Sequence, residues 1–497
     1  MTAGSGNRVL KSKGIAKMMK ELKLEEFERR AARAGRVAVF KEFLADRETP
    51  VAALSRLGEN EEAFLLESVA GGETRGRYSY LGIEPYGRID GDDALERLRE
   101  HFAAARYESA PELPPFQGGA VGFVAYGAVR IFEPRLARTM KPEEGTPSMS
   151  FLLTDTFLIF DNVRDTVTVV VIADLASNPN PADAYRKAMD RIEAVRERLL
   201  SADSIMRLMA SQPVRTEPAQ VGPFECEMTQ GEYCGIVEKC KEAIKAGEVI
   251  QIVPSQKFTA KASIPALSLY RALRTVNPSP YNFFMRIGSK TLIGSSPEEL
   301  VKLSGRTAST APIAGTRPRG ATPVEDAALE RELKADLKER AEHVMLVDLG
   351  RNDLGRVCET GSVRVEAFAH VERYSHVMHL VSNVKGTLAK GYDAFDLVKA
   401  AFPAGTLTGA PKVRAMELIE AFEKSPRGTY GGAAGFFSLT GDMDMAIVIR
   451  TMVLEKGVLT MRAGAGIVAD SDPVREYQET VNKARASFEA ARFAESL

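Results

Sequence analysis

The chain has 497 residues, of which 44% are hydrophobic and 27% charged, and its formal net charge is −1. These values predict a folded protein of two or three domains, or one very large domain, and exclude the strong basic field that recruits nucleic acid or anionic membranes. The four cysteines form no CxxC pair, which excludes a zinc ribbon or disulfide framework and favours a cytoplasmic location. No apolar run reaches the roughly 18 residues of a transmembrane helix, and no signal-peptide pattern is present.

Residues 1–36 form a basic N-terminal extension in which Ile15, Met18 and Leu22 have weak helical spacing. Its glutamates argue against an organelle-targeting peptide, because such peptides are poor in acidic residues. We expect a solvated helical extension, with a partner-binding or targeting arm as the alternative.

Region 37–210 is predicted to contain short strands and turns, followed by a helix over Ala182–Leu200. The predicted strands are apolar, β-branched or aromatic runs bounded by turn formers. They are Phe64–Ser68, Tyr78–Gly82, Ala120–Ala125, Phe151–Phe160 and Thr166–Ala173. The stretch 211–224 contains three prolines, which predicts a linker and a domain boundary.

Region 224–493 begins with a capping box, Thr229-x-x-Glu232, which predicts a helix that ends at Gly247. Two further helices are predicted, from Thr322 to about Leu349 and from Asp472-Pro473 nearly to the end of the chain. The predicted strands are Val249–Phe258, Tyr281–Ile287, Thr291–Gly294, Met378–Val384, Ala446–Leu454 and Val458–Arg462. Strands interrupted by long helices, without strict βαβ alternation, predict an α+β fold with antiparallel sheets.

The segment Gly464–Ala469 matches the letters of the dinucleotide-binding fingerprint. That fingerprint requires a helix that begins within the glycine run, whereas the next helix start is Asp472, so we reject a dinucleotide site. Two glycines beside a strand would let a ligand carboxylate approach backbone N–H groups, and a glycine-rich bulge is an equally good interpretation.

His376 and His379 are three residues apart on a predicted strand, where they face opposite sides. A two-histidine metal site is therefore disfavoured. On local evidence alone, His379 is interpreted as a structural histidine, with a functional role as the alternative.

Acidic residues occur in pairs on two predicted helices. Glu339 and Glu342 are three residues apart on one, and Glu476, Glu479 and Lys483 share one stripe of the other. Such carboxylates fit Mg²⁺, which binds one or two protein carboxylates plus substrate oxygens. On local evidence, an exposed Glu–Lys pair is the favoured interpretation of the stripe.

Six segments, in order over about Phe224 to Phe493, together resemble the chorismate-utilising enzyme family. They are Gly294–Glu298, Pro312–Pro318, Glu339-x-x-Glu342-His343, Asp348–Asp353, Pro403–Lys412 and Gly464–Gly466. The resemblance implies the fold of that family, a large α/β sandwich of stacked antiparallel sheets flanked by helices.

The resemblance also implies a metal cofactor. Glu342 and Glu479 would bind Mg²⁺, with Glu339 and Glu476 in support. The ion would hold the ring carboxylate of chorismate and stabilise charge there. Lys483 would balance the charge of these carboxylates.

Two groups of residues would bind and convert the substrate. Arg450 would bind the enolpyruvyl carboxylate, because a guanidinium matches a planar anion. Glu298 resembles the general acid that protonates the departing C4 hydroxyl, which requires a raised pKa, and His379 resembles the residue that assists the loss of pyruvate. Further substrate contacts would come from Gly315, Thr316, Thr406, Tyr430, Gly464, Ala465 and Gly466.

Two positions discriminate between reactions of the family. Gln251 stands where members that add water carry a lysine base, and because an amide is no base, ammonia is favoured as the nucleophile. Ala314 stands where aminodeoxychorismate-forming members carry a lysine. The resemblance therefore implies attack of ammonia at C2 and elimination of pyruvate to give anthranilate, the first committed step of tryptophan biosynthesis. The alternatives are an aminodeoxychorismate-forming enzyme of the folate pathway and a catalytically silent, tryptophan-binding regulator.

Ammonia would come from a partner. No glutaminase motif surrounds any of the four cysteines. We therefore expect a separate glutaminase subunit to supply ammonia from glutamine.

Region 37–210 is expected to be regulatory, because Leu65–Ser68 and Asn277–Tyr281 resemble the family's site for feedback inhibition by tryptophan. Asn282 stands where many relatives have methionine. The alternative is that Leu65–Ser68 is only the end of a core strand. The implied binding residues are Glu67, Ser68, Arg77, Pro280, Tyr281 and Asn282.

Overall fold

The computed structural model describes residues 19–58, 61–68, 76–140, 142–143, 145–200, 220–374 and 377–497. The helices with at least four residues are α1 Leu24–Ala31, α2 Pro50–Leu57, α3 Ala94–Ala105, α4 Val129–Phe132, α5 Pro181–Leu200, α6 Gln230–Lys245, α7 Ala266–Val276, α8 Pro323–Ala335, α9 Leu337–Gly355, α10 Ala394–Ala401, α11 Gly405–Thr408, α12 Lys412–Phe422 and α13 Pro473–Ala494.

The strands of the first half are β1 Arg36–Leu44, β2 Ala63–Glu67, β3 Tyr78–Ile83, β4 Gly87–Asp90, β5 Tyr107–Glu108, β6 Gly119–Val124, β7 Met149–Thr154, β8 Thr156–Asp161 and β9 Thr166–Asp174. Those of the second half are β10 Glu225–Cys226, β11 Gln251–Ile252, β12 Ser255–Lys261, β13 Tyr281–Ile287, β14 Lys290–Ser296, β15 Glu299–Ser304, β16 Thr307–Thr310, β17 Ile313–Pro318, β18 Arg364–Arg373, β19 Val377–Thr387, β20 Gly409–Ala410, β21 Ala433–Ser438, β22 Met443–Ile447, β23 Thr451–Glu455 and β24 Val458–Gly464.

Two large sheets dominate the architecture. One has twelve strands in the order β10-β12-β24-β23-β14-β13-β2-β3-β8-β9-β1-β5. The other has ten, in the order β17-β19-β16-β15-β22-β21-β6-β7-β4, with β18 paired to β19. Strands β11 and β20 form a separate two-stranded sheet. Among the described strands, β1 and β5 run parallel and the other pairings are antiparallel, which confirms the predicted α+β class.

The sheets stack face to face because each buries one apolar surface against the other. Phe436 on β21 lies 5.0 Å from the ring of Phe116 and 6.0 Å from that of Tyr80 on β3, so aromatic side chains of both sheets meet in the core. Helices α5, α7 and α13 cover the outer face of the twelve-stranded sheet, and α3, α9 and α10 cover that of the ten-stranded sheet. This is the sandwich flanked by helices that the resemblance implied.

Strands from both sides of the predicted domain boundary share both sheets. Asn282 on β13 pairs with Glu67 on β2, and Ala433 on β21 pairs with Val124 on β6. Most of the linker predicted at 211–224 lies outside the described residues. Regions 37–210 and 224–493 therefore share one sandwich, and a division of regulatory and catalytic roles between them stays a prediction.

The N-terminal extension packs against the body of the protein where it is described. Leu22 and Phe27 are buried, and Leu22 O accepts a hydrogen bond of 2.9 Å from the hydroxyl of Tyr185 on α5. The predicted solvated extension is wrong for this part, because α1 has an apolar side that meets α5; residues 1–18 lie outside the description.

Helix starts were predicted well. Thr229 and Glu232 form the predicted capping box, and Thr322 and Asp472 accept the backbone hydrogen bonds expected of caps. The single helix from Thr322 to Leu349 is wrong. Asp336 has extended backbone and caps α9 by accepting from the N–H groups of Lys338 and Glu339, so two helices form instead.

Three predicted strands are also divided. Phe151–Phe160 breaks at Asp155, Val249–Phe258 becomes β11 and β12, and Ala446–Leu454 becomes β22 and β23. Between β22 and β23, Arg450 has a φ of 51°. A left-handed residue cannot continue a strand, so the chain turns there. In the described residues, no helix is long and apolar enough to cross a membrane.

Candidate active site

The sequence-predicted catalytic residues converge where the ends of β14, β17 and β24 approach α9, α11 and α13. Thr406 on α11 contacts Glu298 after β14, and Lys483 on α13 contacts Gly464 on β24. Glu342 on α9 is contacted by Gln251 on the neighbouring strand β11. We define the candidate active site as Glu298, Gly315, Thr316, Glu339, Glu342, His379, Thr406, Tyr430, Arg450, Gly464–Gly466, Glu476, Glu479 and Lys483, with Gln251 at its edge.

Glu298 lies in the turn between β14 and β15 and is 8% exposed. Its Oε1 accepts a hydrogen bond of 3.1 Å from the hydroxyl of Thr406 on α11. Burial raises its pKa to about 8, against the opposing effects of the Thr406 hydrogen bond and the charge of Lys483. A carboxyl group in this setting holds its proton near neutral pH and is able to act as a general acid.

His379 lies on β19, opposite a bulge in β17. Gly315 has a φ of +59° at this bulge, and a Cβ there would lie 3.2 Å from a carboxylate oxygen of Glu339, so glycine is required. Nδ1 of His379 lies 3.0 Å from Gly315 O and 3.0 Å from the hydroxyl of Thr316. Because a carbonyl oxygen only accepts, Nδ1 carries the proton and Nε2 is the basic nitrogen. Burial lowers the pKa of His379, which keeps the ring neutral.

Arg450 occupies the left-handed backbone position between β22 and β23. It donates a hydrogen bond to Lys483 O, and burial lowers its pKa from the usual value. Tyr430 and Glu479 are close enough to act on its charge. Backbone strain of this kind, costing on the order of 1–3 kcal/mol, is typical of functional sites.

The glycine loop is less open than predicted. The N–H of Ala465, one of the predicted substrate contacts, donates to Pro254 O at 3.2 Å, so this amide is already occupied. The glycines leave room for side chains instead. A Cβ on Gly464 would lie 3.1 Å from the hydroxyl oxygen of Tyr430, and one on Gly466 would lie 2.8 Å from Nε2 of Gln251. β24 continues to Gly464 and no helix starts before Pro473, which confirms the rejection of a dinucleotide site.

The four predicted metal ligands are brought together as two pairs. Burial raises the pKa of Glu339 and of Glu476, and the neighbouring charges of Glu342 and Glu479, respectively, add to this. Lys338 on α9 is close enough to act on Glu476, so the two helix starts face each other. Within the described parts of the chain, no three or more acidic, histidine or cysteine side chains lie close enough to hold a metal ion as they stand.

These carboxylates fit Mg²⁺ by their chemistry. They are oxygen donors on two facing helices, and their mutual repulsion would be relieved by a cation. Glu479 also pairs with Lys483 at 2.6 Å, with side chains 46% and 39% exposed, so the Glu–Lys pair favoured on local evidence is present as well.

Gln251 lies on β11, which pairs with β20. Its Nε2 donates to Oε1 of Glu342 at 3.3 Å, and its side chain is buried beside Gly466. The amide therefore lies between a predicted metal ligand and the glycine loop. No group at this position is able to deprotonate water.

A cavity of about 510 Å³ lies between the two sheets, distinct from the candidate active site, and is lined by the predicted tryptophan-binding residues. Leu66 and Phe436 give it apolar walls. Its lining includes Glu67, Ser68, Arg77, Pro280, Tyr281 and Asn282. The cavity adjoins the candidate active site, because Pro297 and Glu299, the two sequence neighbours of Glu298, line the cavity.

Two of these residues turn their side chains elsewhere. The carboxylate of Glu67 accepts from the hydroxyl of Tyr270 at 2.5 Å and lies 3.5 Å from Arg274, both on α7. The amide of Asn282 donates to Ser279 O and accepts from Ser295. Because Glu67 and Asn282 are paired across β2 and β13, they share the sheet face that points away from the cavity. Glu67, one of the implied tryptophan-binding residues, therefore directs its carboxylate to Tyr270 and Arg274 rather than into the cavity.

Sequence reasoning missed Asp444, which also lines this cavity. Its Oδ2 lies 2.8 Å from Lys302, whereas Oδ1 is buried without a hydrogen-bond partner among the described residues. A buried carboxylate oxygen without a partner is costly unless a ligand satisfies it. The signal in the sequence was weak, because Asp444 stands in an ordinary alternating strand.

A buried ionic cluster behind the candidate active site was also missed. Glu423 accepts the N–H of Ser255 at 2.7 Å, and Arg427 and Arg462 lie 2.6 and 3.2 Å from its carboxylate oxygens. Arg427 also donates to Leu407 O and Val253 O, both at 2.7 Å. From the sequence, Glu423 and Arg427 are an ordinary i,i+4 pair, which is typical of a surface helix.

Comparison with known proteins gives one family. A family model described as chorismate binding enzyme matches residues 61–489. A curated relative, anthranilate synthase component 1 of Streptomyces coelicolor, is 46% identical over 465 residues, covering 93% of this chain and 90% of its own length.

Two solved structures are similar in fold. Anthranilate synthase component I from Streptococcus pneumoniae has a TM-score of 0.73 and 35% identity, covering 90% of this chain and 98% of its own. The menaquinone-specific isochorismate synthase of Escherichia coli has a TM-score of 0.70 at 21% identity, covering 94% and 98%; at that identity the likeness shows the fold alone.

Replacing Glu423 by glutamine is expected to destabilise the protein by about 3 kcal/mol, because Arg427 and Arg462 remain buried with less compensation. Urea unfolding at neutral pH measures the change. The charges of Arg427 and Arg462 outweigh burial and lower the pKa of Glu423, so its contribution is present above the unfolded pKa and lost as the pH falls. The difference between variant and native protein should therefore shrink below about pH 4.

Glu417→Gln is the matched control, since Glu417 lies on α12, which ends directly before Glu423, and pairs with the more exposed Arg135 and Arg414. It should cost less than about 1 kcal/mol. Equal losses for the two variants would contradict the role given to the buried cluster.

Proposed function

The chain belongs to the chorismate binding enzyme family, and we propose that within it the chain has the role of the large subunit of anthranilate synthase, converting chorismate and ammonia to anthranilate and pyruvate. The observation that carries this proposal is the buried Glu298, held by Thr406 in the same site as Arg450, His379 and the two acidic pairs, where burial raises its pKa to about 8. The 46% identity to a component 1 relative over 93% of the chain supports it.

Arg450 binds the enolpyruvyl carboxylate, assisted by the loop at Gly466. Its charge is buried and its guanidinium is oriented by Lys483 O, so the cost of desolvating it is already met before substrate binds. Mg²⁺, held by Glu342 and Glu479 with Glu339 and Glu476 in support, would bind the ring carboxylate and stabilise negative charge on it.

Glu298 donates its proton to the C4 hydroxyl, which leaves as water while ammonia forms the C–N bond at C2. Nε2 of His379 is unprotonated and assists the subsequent loss of pyruvate by taking a proton. Gln251 supports ammonia rather than water as the nucleophile, because an amide cannot generate hydroxide from water. Ala314, buried in β17, supports the anthranilate product over aminodeoxychorismate, since no lysine amine is present at that position.

Ammonia reaches the enzyme from a separate glutaminase subunit. The relatives named component 1 support this, because that name implies a second component. The four cysteines also support it. The two that are buried, Cys240 and Cys358, have pKa values raised by burial, which makes them poor thiolate nucleophiles.

Tryptophan inhibits by binding in the cavity between the sheets. The apolar walls suit an indole ring, and Asp444 offers a buried carboxylate oxygen to the ligand's ammonium group. Inhibition requires that tryptophan binds the inactive conformation more tightly than the active one.

The direct test of the proposed function is an assay of the purified chain with chorismate, ammonium and Mg²⁺, followed by anthranilate fluorescence. We expect product with ammonium, none with glutamine alone, and loss of product on chelation of the metal. Chorismate consumption without fluorescence would favour aminodeoxychorismate formation. Absence of any consumption would leave the silent regulator or a chain that needs its partner subunit to be active.

The rate constant kcat is expected to fall as the pH rises through about 8, because the proton of Glu298 is lost in that range. The free ammonia concentration is held constant by adjusting total ammonium at each pH. Glu298→Gln should lower kcat by about 10²–10⁴-fold and remove this limb of the profile. Glu359→Gln, at an exposed turn after α9, is the control and should keep it.

Asp444→Asn is expected to weaken tryptophan binding by about ten-fold or more, since a charged hydrogen bond contributes on the order of 1.5–3 kcal/mol. The chain contains no tryptophan, so the fluorescence of added tryptophan reports binding without protein background. Asp190→Asn, exposed on α5, is the control. Equal affinity of the Asp444 variant and the native protein would show that the ammonium group binds elsewhere.

A further inference from the structure

Asp353 and Lys412, which belong to the family-like segments Asp348–Asp353 and Pro403–Lys412, have no role in the proposed chemistry, yet they form a buried ion pair that joins the two segments. Nζ of Lys412 lies 2.9 Å from each carboxylate oxygen of Asp353 and 3.3 Å from Ala401 O. The side chains are 14% and 12% exposed, so the pair retains a limited contact with solvent. The pair lies at the ends of α9 and α10 and at the start of α12.

A small cavity of about 40 Å³ reaches from this pair to the general acid. Glu298, Thr406, Gly350, Asp353 and Ala401 are among the residues that line it. The volume exceeds the roughly 10–15 Å³ that one water molecule requires, and the carboxyl groups and hydroxyl of the lining supply the polar partners that a buried water needs. The cavity is therefore suited to hold water.

The cavity is distinct from the part of the site that binds substrate. Thr406 and Glu298 belong to both, but Tyr430, Arg450 and the Gly464–Gly466 loop do not line the cavity among the residues described. Under the proposed function, Glu298 would therefore meet the substrate on one side while the cavity lies on the other.

The reaction creates a need for such a cavity. Each turnover breaks the C4–O bond and releases the hydroxyl as water with the proton of Glu298, while the amine formed at C2 releases one proton. Glu298 must regain a proton before the next turnover, and bound substrate or product covers its other side. No oxidant or reductant is involved, and the protons balance through solvent.

We propose that Asp353, paired with Lys412, is a positioning residue that returns the proton to Glu298 through water in this cavity, with solvent at the partly exposed ion pair as the source. The inference rests on the proposed function, because it assumes that Glu298 is the acid. The proton enters at the Asp353 carboxyl, crosses the cavity by exchange along water, and ends on the Glu298 carboxylate.

The charges around both carboxyl groups are compatible with this direction. Lys483 on α13 faces Glu298, Glu299 is its neighbour at the cavity, and Arg356 and Lys412 act on Asp353. Burial raises the pKa of Asp353 against the effects of Lys412 and Arg356, which makes transient protonation of this group easier.

The test is stopped-flow anthranilate fluorescence with the full chain, chorismate, ammonium and Mg²⁺, comparing native protein with Asp353→Asn. Asparagine keeps the shape and one acceptor for Lys412 but takes up no proton. We expect a first turnover at the native rate, because Glu298 starts protonated, followed by steady turnover at least about ten-fold slower. The slow phase should accelerate as the pH is lowered, since hydronium then reaches Glu298 by other routes.

Ala401→Val is the second variant, because it fills the cavity and leaves every charge in place. It should give the same fast first turnover and slow steady phase. Glu193→Gln, which removes one partner of the remote Lys41–Glu193 pair, is the control and should give native kinetics.

A first turnover slowed as much as the steady phase would overturn the proposal and make the ion pair a purely structural element. Unchanged kinetics in both cavity variants would overturn it as well. A native protein that forms no anthranilate would instead contradict the proposed function, so the two failures are distinguishable.

Discussion

The arrangement of the candidate active site depends on one buried carboxylate. Glu423 is surrounded by Arg427, Arg462 and the N–H and hydroxyl of Ser255. Bringing these charges out of water costs several kcal/mol for each ion, so they persist only because their hydrogen bonds are nearly all satisfied. Such a cluster has few alternative geometries, which fixes the segments that supply it.

Those segments contain or adjoin residues of the candidate active site. Arg462 lies on β24 just before the glycine loop, and Arg427 holds Leu407 O next to Thr406 and Val253 O next to β11. The guanidinium of Arg427 also lies 5.7 Å from the ring centre of Tyr430. This ionic cluster thus fixes the positions of the glycine loop, Thr406 and Tyr430 relative to each other.

The shared sandwich places the 510 Å³ cavity beside the candidate active site. Strands β2 and β13 pair across regions that are far apart in the chain, and β14 and β15 continue from them to Glu298 and Glu299. Glu299 accepts a hydrogen bond of 3.0 Å from the hydroxyl of Tyr281, and both residues line the 510 Å³ cavity. A ligand in that cavity would therefore lie against the residue that follows Glu298, which is a short physical path between the cavity and the candidate active site.

The sequence by itself determined the local features. The caps at Thr229, Thr322 and Asp472 follow from side chains that bind the neighbouring backbone. The α+β class follows from the order of strand and helix patterns, and the candidate residues follow from motifs that resemble a family. The sequence did not predict short interruptions of helices and strands, because a single residue causes each of them. Asp336 caps a second helix, and Arg450 adopts a left-handed backbone that its neighbours in sequence do not indicate.

Only the tertiary structure decided which groups meet and how they ionise. Glu423 is a buried ion because of contacts with residues up to 168 positions away in the sequence. The side chain of Glu67 points away from the cavity because the pairing of β2 with β13 determines on which face of the sheet it lies. The raised pKa of Glu298 likewise comes from burial by elements distant in the chain. Desolvation and pairing depend on the whole surroundings of a group in space, which no local pattern of residues specifies.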